Sequence, residues 1–71
     1  MNIYGYESDD GELLSLKEIT LQLSVDELTD VIKFMENTLS LMKKHENFGH
    51  EHFKDYIRKP CLNMPDLIVS K

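Results

Sequence analysis

Between Ser24 and His45 the chain carries one strongly patterned amphipathic helix, and every other segment has to be arranged around it. Ser24 is a good N-cap, and Glu27 three residues on completes a capping box that supplies partners for two backbone N–H groups. Asp26, Glu27 and Asp30 crowd the first turns while Lys43, Lys44 and His45 close the last, both matched to the helix dipole. Val25, Leu28, Val31, Ile32, Met35, Leu39 and Met42 recur at three- and four-residue spacing and predict one apolar stripe. Phe34, Thr38 and Leu41 form a second row to one side of it. Phe34 is expected to tuck under the 46–49 loop or a neighbouring strand; otherwise that row marks a dimer or partner contact. A helix cannot bury its own stripe, so the rest of the chain must supply a surface.

The flanking segments read mostly as strands. Residues 2–6 predict a short strand with Ile3 and Tyr4/Tyr6 on opposite faces. Ser8-Asp9-Asp10-Gly11 is a turn. Residues 12–23 predict a second strand, but Leu14 and Leu16 share one parity while Ile19, Leu21 and Leu23 share the other. Side chains alternate strictly along a strand, so a bulge or break is expected at Lys17-Glu18. After the helix, Asn47 or Gly49 is a candidate for a left-handed cap. His50 to Ile57 predicts a third strand, a short helix being the alternative, and Asp66 to Ser70 a fourth. Pro60 and Pro65 bracket a loop between them.

The expected fold is therefore α+β: a single domain over residues 1–71, with elements in β-β-α-β-β order. Its mostly antiparallel sheet has the one amphipathic helix packed on one face. The helix-facing set is Ile3, Ile19, Leu21, Leu23, Phe53, Ile57, Leu67 and Val69. The opposite face presents Tyr4, Tyr6, Thr20, Gln22, His50, His52, Tyr56 and Ile68, and nothing in the chain remains to cover it.

Size and charge narrow the function classes. A chain of 71 residues buries only about 60% of its unfolded surface, so its stability margin is thin and an oligomer stays open. No apolar run approaches the ~20 residues that span a bilayer, no secretory signal is expected, and the lone cysteine, Cys61, suits a reducing cytoplasm. The net charge of −5 is uneven. Residues 1–30 hold eight carboxylates against Lys17, net −7; residues 31–71 hold five against seven bases, net +2. Such a chain offers nucleic-acid phosphates no basic stripe, whereas it would steer a basic protein partner.

Four groups are candidates for chemistry. His50 and His52, at i and i+2 on a strand, point the same way, a spacing able to ligate a transition metal. No third ligand sits at a diagnostic spacing, so a polar surface patch is preferred and no metal or other cofactor is expected. Cys61 lacks a flanking base or oxyanion-hole motif and reads as a small apolar filler. The acidic hairpin around Asp9, Asp10 and Glu12 lacks calcium-loop spacing; it reads as a solvated turn or as an acidic patch facing a basic partner. The second helix row is the fourth. No nucleotide-binding or nucleophile-elbow motif is present, and an enzyme is not expected.

Three stretches carry a resemblance. Leu16-Lys17-Glu18-Ile19-Thr20-Leu21 leads into Ser24-Val25-Asp26-Glu27-Leu28; Phe48-Gly49-His50-Glu51-His52-Phe53-Lys54-Asp55 follows the helix; Pro65-Asp66-Leu67-Ile68-Val69 closes the chain. In this order they resemble the immunity proteins of bacterial polymorphic-toxin systems, most nearly the immunity family numbered thirty-two. The Gly-His-x-His segment is the most specific piece, and Val25 stands where that family pattern favours proline. The resemblance implies a cytoplasmic, non-enzymatic protein that binds and blocks a cognate toxin; if that toxin is a nuclease, the −7 charge of residues 1–30 suits its basic active site. On that reading the partner contacts are Tyr4, Tyr6, His50, His52 and Tyr56 on the open face, and Asp9, Asp10 and Glu12 at the hairpin. The alternative is a homodimeric structural or regulatory domain, paired through the open face or an edge strand.

Overall fold

The computed structural model describes residues 1–57 and 64–71. Its longest element, α1 (Val25–Lys44), starts where the capping box demands. Ser24 Oγ accepts from the Glu27 N–H at 3.1 Å, and Glu27 Oε1 accepts from the Ser24 N–H at 2.9 Å. Those hydrogen bonds hold the Glu27 carboxyl below its ordinary pKa. The other end departs from expectation. His45 closes the helix in extended conformation, and no described residue, glycine included, adopts the left-handed backbone expected of Asn47 or Gly49. A turn from His45 to Phe48 reverses the chain instead, with the Phe48 N–H donating to the His45 carbonyl at 3.2 Å.

The fold is α+β, with two antiparallel strand pairs and one main helix. β1 (Ile3–Gly5) pairs with β2 (Leu14–Leu16), and β3 (His50–His52) pairs with β4 (Ile68–Ser70). The two pairs are separate two-stranded sheets, so the single sheet with one open face does not form. The predicted phase change explains much of this. β2 stops at Leu16, the chain bends at Lys17, and residues 18–24 run on without pairing. Ile19 and Leu21, expected against the helix, are exposed; Leu23 does reach the core. Ile3 is half-buried, on the hairpin's own apolar face with Leu16.

The core is small and centres on Phe34, which is 1% exposed. Val31 and Phe53 complete its buried apolar set among the described residues, and Leu23, Ile57, Met64, Leu67 and Val69 pack around them. Phe34 meets Phe53 and Tyr56 edge-on, with centroids 5.4 and 5.7 Å apart, a geometry that aligns ring edges with ring faces. This inverts the two helix rows. Phe34, expected beside the main stripe, is its centre of burial, while Leu28, Ile32, Met35 and Leu39 are exposed. Thr38 is buried beside Phe34 on the helix, and its hydroxyl finds no partner among the described residues.

Residues 50–57 resolve into both predicted alternatives. His50–His52 form β3 and Phe53–Tyr56 form a single helical turn, α2. The switch has a local cause: Asp66 Oδ1 accepts from the Lys54 N–H at 3.0 Å, capping the first turn, while the Phe53 N–H donates to the Leu67 carbonyl at 2.8 Å. Because α2 is helical, Tyr56 joins Phe53 on the side facing Phe34. It does not lie on the outer face with the histidines. No helix among the described residues is long and apolar enough to cross a membrane.

Candidate functional site

The eight contact candidates fall into two places. Tyr4, Tyr6, Asp9, Asp10 and Glu12 sit on the β1–β2 hairpin; His50, His52 and Tyr56 sit on β3 and α2. With separate sheets, no common face joins them.

The hairpin is built from its pairing. Ile3 opposes Leu16, Tyr4 opposes Ser15 and Gly5 opposes Leu14, so Ile3, Gly5, Leu14 and Leu16 share one face and Tyr4 projects from the other. Gly5 lets the strands pack closely: a Cβ there would lie 3.0 Å from Leu16 Cδ1, so that methyl would have to give way by a few tenths of an ångström. Ser8 to Gly11 forms the turn, closed by the Gly11 N–H donating to the Ser8 carbonyl at 3.1 Å. Tyr4 and Tyr6 are 58% and 64% exposed, and Glu7, Asp9, Asp10 and Glu12 are all exposed. None of these side chains belongs to the core cluster. Two amphipathic rings and four free carboxylates thus stand on a projecting ribbon, an arrangement suited to contacting a basic protein surface.

The histidine pair is organised differently. The β3–β4 register sets His50 opposite Ser70, Glu51 opposite Val69 and His52 opposite Ile68. His50, His52 and Ile68 therefore share the outer face, as expected, while Val69 turns to the core. The imidazoles of His50 and His52 lie 5.0 Å apart, edge to face. His52 Nδ1 contacts Asp66 Oδ2 at 2.6 Å, and the other Asp66 oxygen accepts from the Lys54 and Leu67 N–H groups. The hydrogen bond to Asp66 raises the His52 pKa and outweighs the opposing effect of desolvation, with the charges of Asp66, Asp55 and Glu51 adding to the rise. Burial pushes the Asp66 carboxyl up, but its bonds from His52, Lys54 and Leu67 outweigh that and hold it below its ordinary value. Among the described residues no group of three His, Cys, Asp or Glu is placed to hold a metal ion. Cys61 lies outside the described residues. His52 is thus tied to Asp66, whose other oxygen holds the first turn of α2, a structural role its spacing to His50 did not reveal. Asp66 was missed as a partner because its contact spans 14 residues.

Two open grooves flank the core. One, about 170 Å³, runs between Gln22, Leu23, Glu27 and the 64–67 segment; the other, about 490 Å³, lies between Asp30 and Lys33 of α1 and Tyr56 and Ile57. Tyr56 is therefore a groove-edge residue. Comparison of the chain with family models, curated proteins and solved structures finds no match.

Proposed function

We propose that this chain is an immunity protein: a cytoplasmic, non-enzymatic inhibitor that binds a cognate bacterial toxin stoichiometrically, with a basic nuclease as its target class. The observation that carries the reading is the hairpin, where Tyr4, Tyr6, Glu7, Asp9, Asp10 and Glu12 are exposed together outside the core. The net charge of −7 over residues 1–30 gives that ribbon a field that attracts a basic partner and suppresses acidic ones. Carboxylates laid into a nuclease cleft would occupy the places of substrate phosphates. The resemblance to toxin-immunity proteins supplies the biological setting and the stoichiometric mode.

The test is genetic, then physical. The gene immediately upstream is expected to encode a large exported protein with a toxic C-terminal domain. Coexpressing this chain with that domain should restore growth and give a complex with one copy of each component per binding site. Association should slow steeply with added salt. Continued killing despite soluble expression of this chain would overturn the proposal; a salt-insensitive complex would remove the electrostatic mode while leaving the inhibitor.

A further inference from the structure

On the outer face of the β3–β4 pair, one imidazole is held the way metal ligands are held. His50 and His52 point the same way from β3, across from Ser70 and Ile68. Both can be reached from solvent, His50 being exposed and the His52 side chain 34% exposed. Two imidazoles bound side by side to one ion, at metal–nitrogen distances of ~2.1 Å and a square or tetrahedral angle, have ring centroids ~4.6–5.3 Å apart. The centroids of His50 and His52 are 5.0 Å apart. The second ring is also oriented. Asp66 Oδ2 meets His52 Nδ1 at 2.6 Å, and the other Asp66 oxygen accepts from the Lys54 and Leu67 N–H groups at 3.0 and 2.9 Å. A carboxylate on one ring nitrogen favours the tautomer with its proton there and leaves the lone pair on Nε2, the arrangement found behind metal-bound histidines. Spacing alone gave His50 and His52 no such preference. Asp66, 14 residues away, supplies it.

We infer that His50 and His52 form a two-histidine site for one divalent transition-metal ion of the zinc, nickel and copper class, with Asp66 as the positioning residue behind His52. Imidazole nitrogen selects these ions over magnesium and calcium, which take oxygen ligands. The carboxylates of Asp66, Asp55 and Glu51 place negative charge around His52, which draws a cation in. Both rings stand on one three-residue strand. Once the first has bound, the second therefore binds intramolecularly, and the affinity of a two-ligand site comes from that step. Among the described residues no third side chain is placed to join them. Water then fills the remaining positions, and the ion exchanges with solvent instead of holding the fold together. Copper(II) is bound tightest of the three.

Calorimetric titration of the untagged full chain with Zn²⁺, Ni²⁺ or Cu²⁺ tests this with no toxin present, so it reads independently of the proposed function. Cys61→Ser is the background, so that the thiol takes no part. One ion per chain is expected, with copper tightest. His50→Ala, at an exposed position, should keep the far-ultraviolet circular dichroism and weaken binding about tenfold or more. His45→Ala should leave binding unchanged. Asp66→Asn should weaken it ~10–100-fold. Imidazole nitrogen NMR with Zn²⁺ separates positioning from folding, because His52 should keep its proton on Nδ1 and show the metal shift at Nε2. Equal affinity in His50→Ala and the background, no binding in that background, or loss of binding in His45→Ala overturns the inference. So does one ion shared between two chains, or zinc bound at Nδ1 of His52.

Discussion

Exchanging Phe34 and Leu39 for smaller residues distinguishes the face of α1 that holds the protein together from the face it offers outward. Phe34 is 1% exposed and makes edge-to-face contacts with Phe53 and Tyr56. Phe34→Leu keeps an apolar filler of nearly the same volume, so the transfer and packing loss is held to ~1.5 kcal/mol or less. The two ring pairs add ~0.5–1.5 kcal/mol each. A total of ~2 kcal/mol is expected, with Phe34→Ala costing ~3–5 kcal/mol and approaching the whole stability of a domain this size. Leu39 is 52% exposed, and Leu39→Ala should stay within ~0.5 kcal/mol. The assay is urea unfolding followed by circular dichroism, repeated at two protein concentrations so that any self-association is read out separately. With a slope near 1 kcal/mol/M, Phe34→Leu should lower the midpoint by ~2 M and Leu39→Ala by ~0.5 M or less. Equal losses, or the reverse order, would refute the assignment of the inward face.

Thr38→Val should stabilise the fold by ~1–2 kcal/mol, seen as a higher melting temperature, because the buried hydroxyl has no partner among the described residues and the isostere removes it. A loss of stability would show that the hydroxyl is bonded after all. Ser24→Ala should cost ~1 kcal/mol through the capping box, measured by the same unfolding. The His52–Asp66 pair should impose a pH window. A histidine with a raised folded pKa adds stability that is complete below its ordinary value, ~6.5, and disappears as pH rises through the raised one. A carboxylate with a lowered pKa adds stability complete above ~4 and lost as pH falls through the lowered value. The midpoint difference between wild type and Asp66→Asn should therefore be largest between about pH 4 and 6.5 and shrink on both sides; a pH-independent difference would exclude the ion pair. Asp9→Lys, Asp10→Lys and Glu12→Lys together should leave the melting temperature unchanged and slow association with the toxin about tenfold or more, by stopped-flow measurement.

The helix and the turns around it were legible because their signals are local. The capping box, the Ser8–Gly11 turn and the break at Lys17 each depend on residues within a few positions of one another. The inward face of α1 was not, because the apolar arc of that helix is wider than one core can cover. Seven residues at regular spacing outvoted Phe34 by number, whereas volume and aromatic partners decided the burial. Residues 53–57 were ambiguous for a different reason. Phe53 and Ile57 share a face in a strand and in a helix alike, so their pattern cannot separate the two. Asp66 decides it, from across the β3–β4 pair. The division of the site candidates follows from the same cause, since short strands ending at Leu16 and His52 leave the hairpin unattached to the second sheet.

That division also separates what must be kept from what is free to change. The Gly-His-x-His segment, the most specific part of the resemblance, and the closing Pro65–Val69 stretch are brought together by the β3–β4 pairing and by the His52–Asp66 contact. Their pairing accounts for those residues by what they do for the fold: one carboxylate fixes an imidazole, caps α2 and thereby aims Phe53 and Tyr56 at Phe34. The hairpin carries no such duty. Its tyrosines and carboxylates make no core contact, so exchanging them alters the surface and its field without spending stability the small core cannot spare. A binding protein that must track one changing partner is best served by recognition residues on a ribbon of that kind. On the proposed inhibitor reading, selection for recognition would act at Tyr4, Tyr6, Glu7, Asp9, Asp10 and Glu12, and selection for folding at Phe34, Thr38, Phe53 and Asp66.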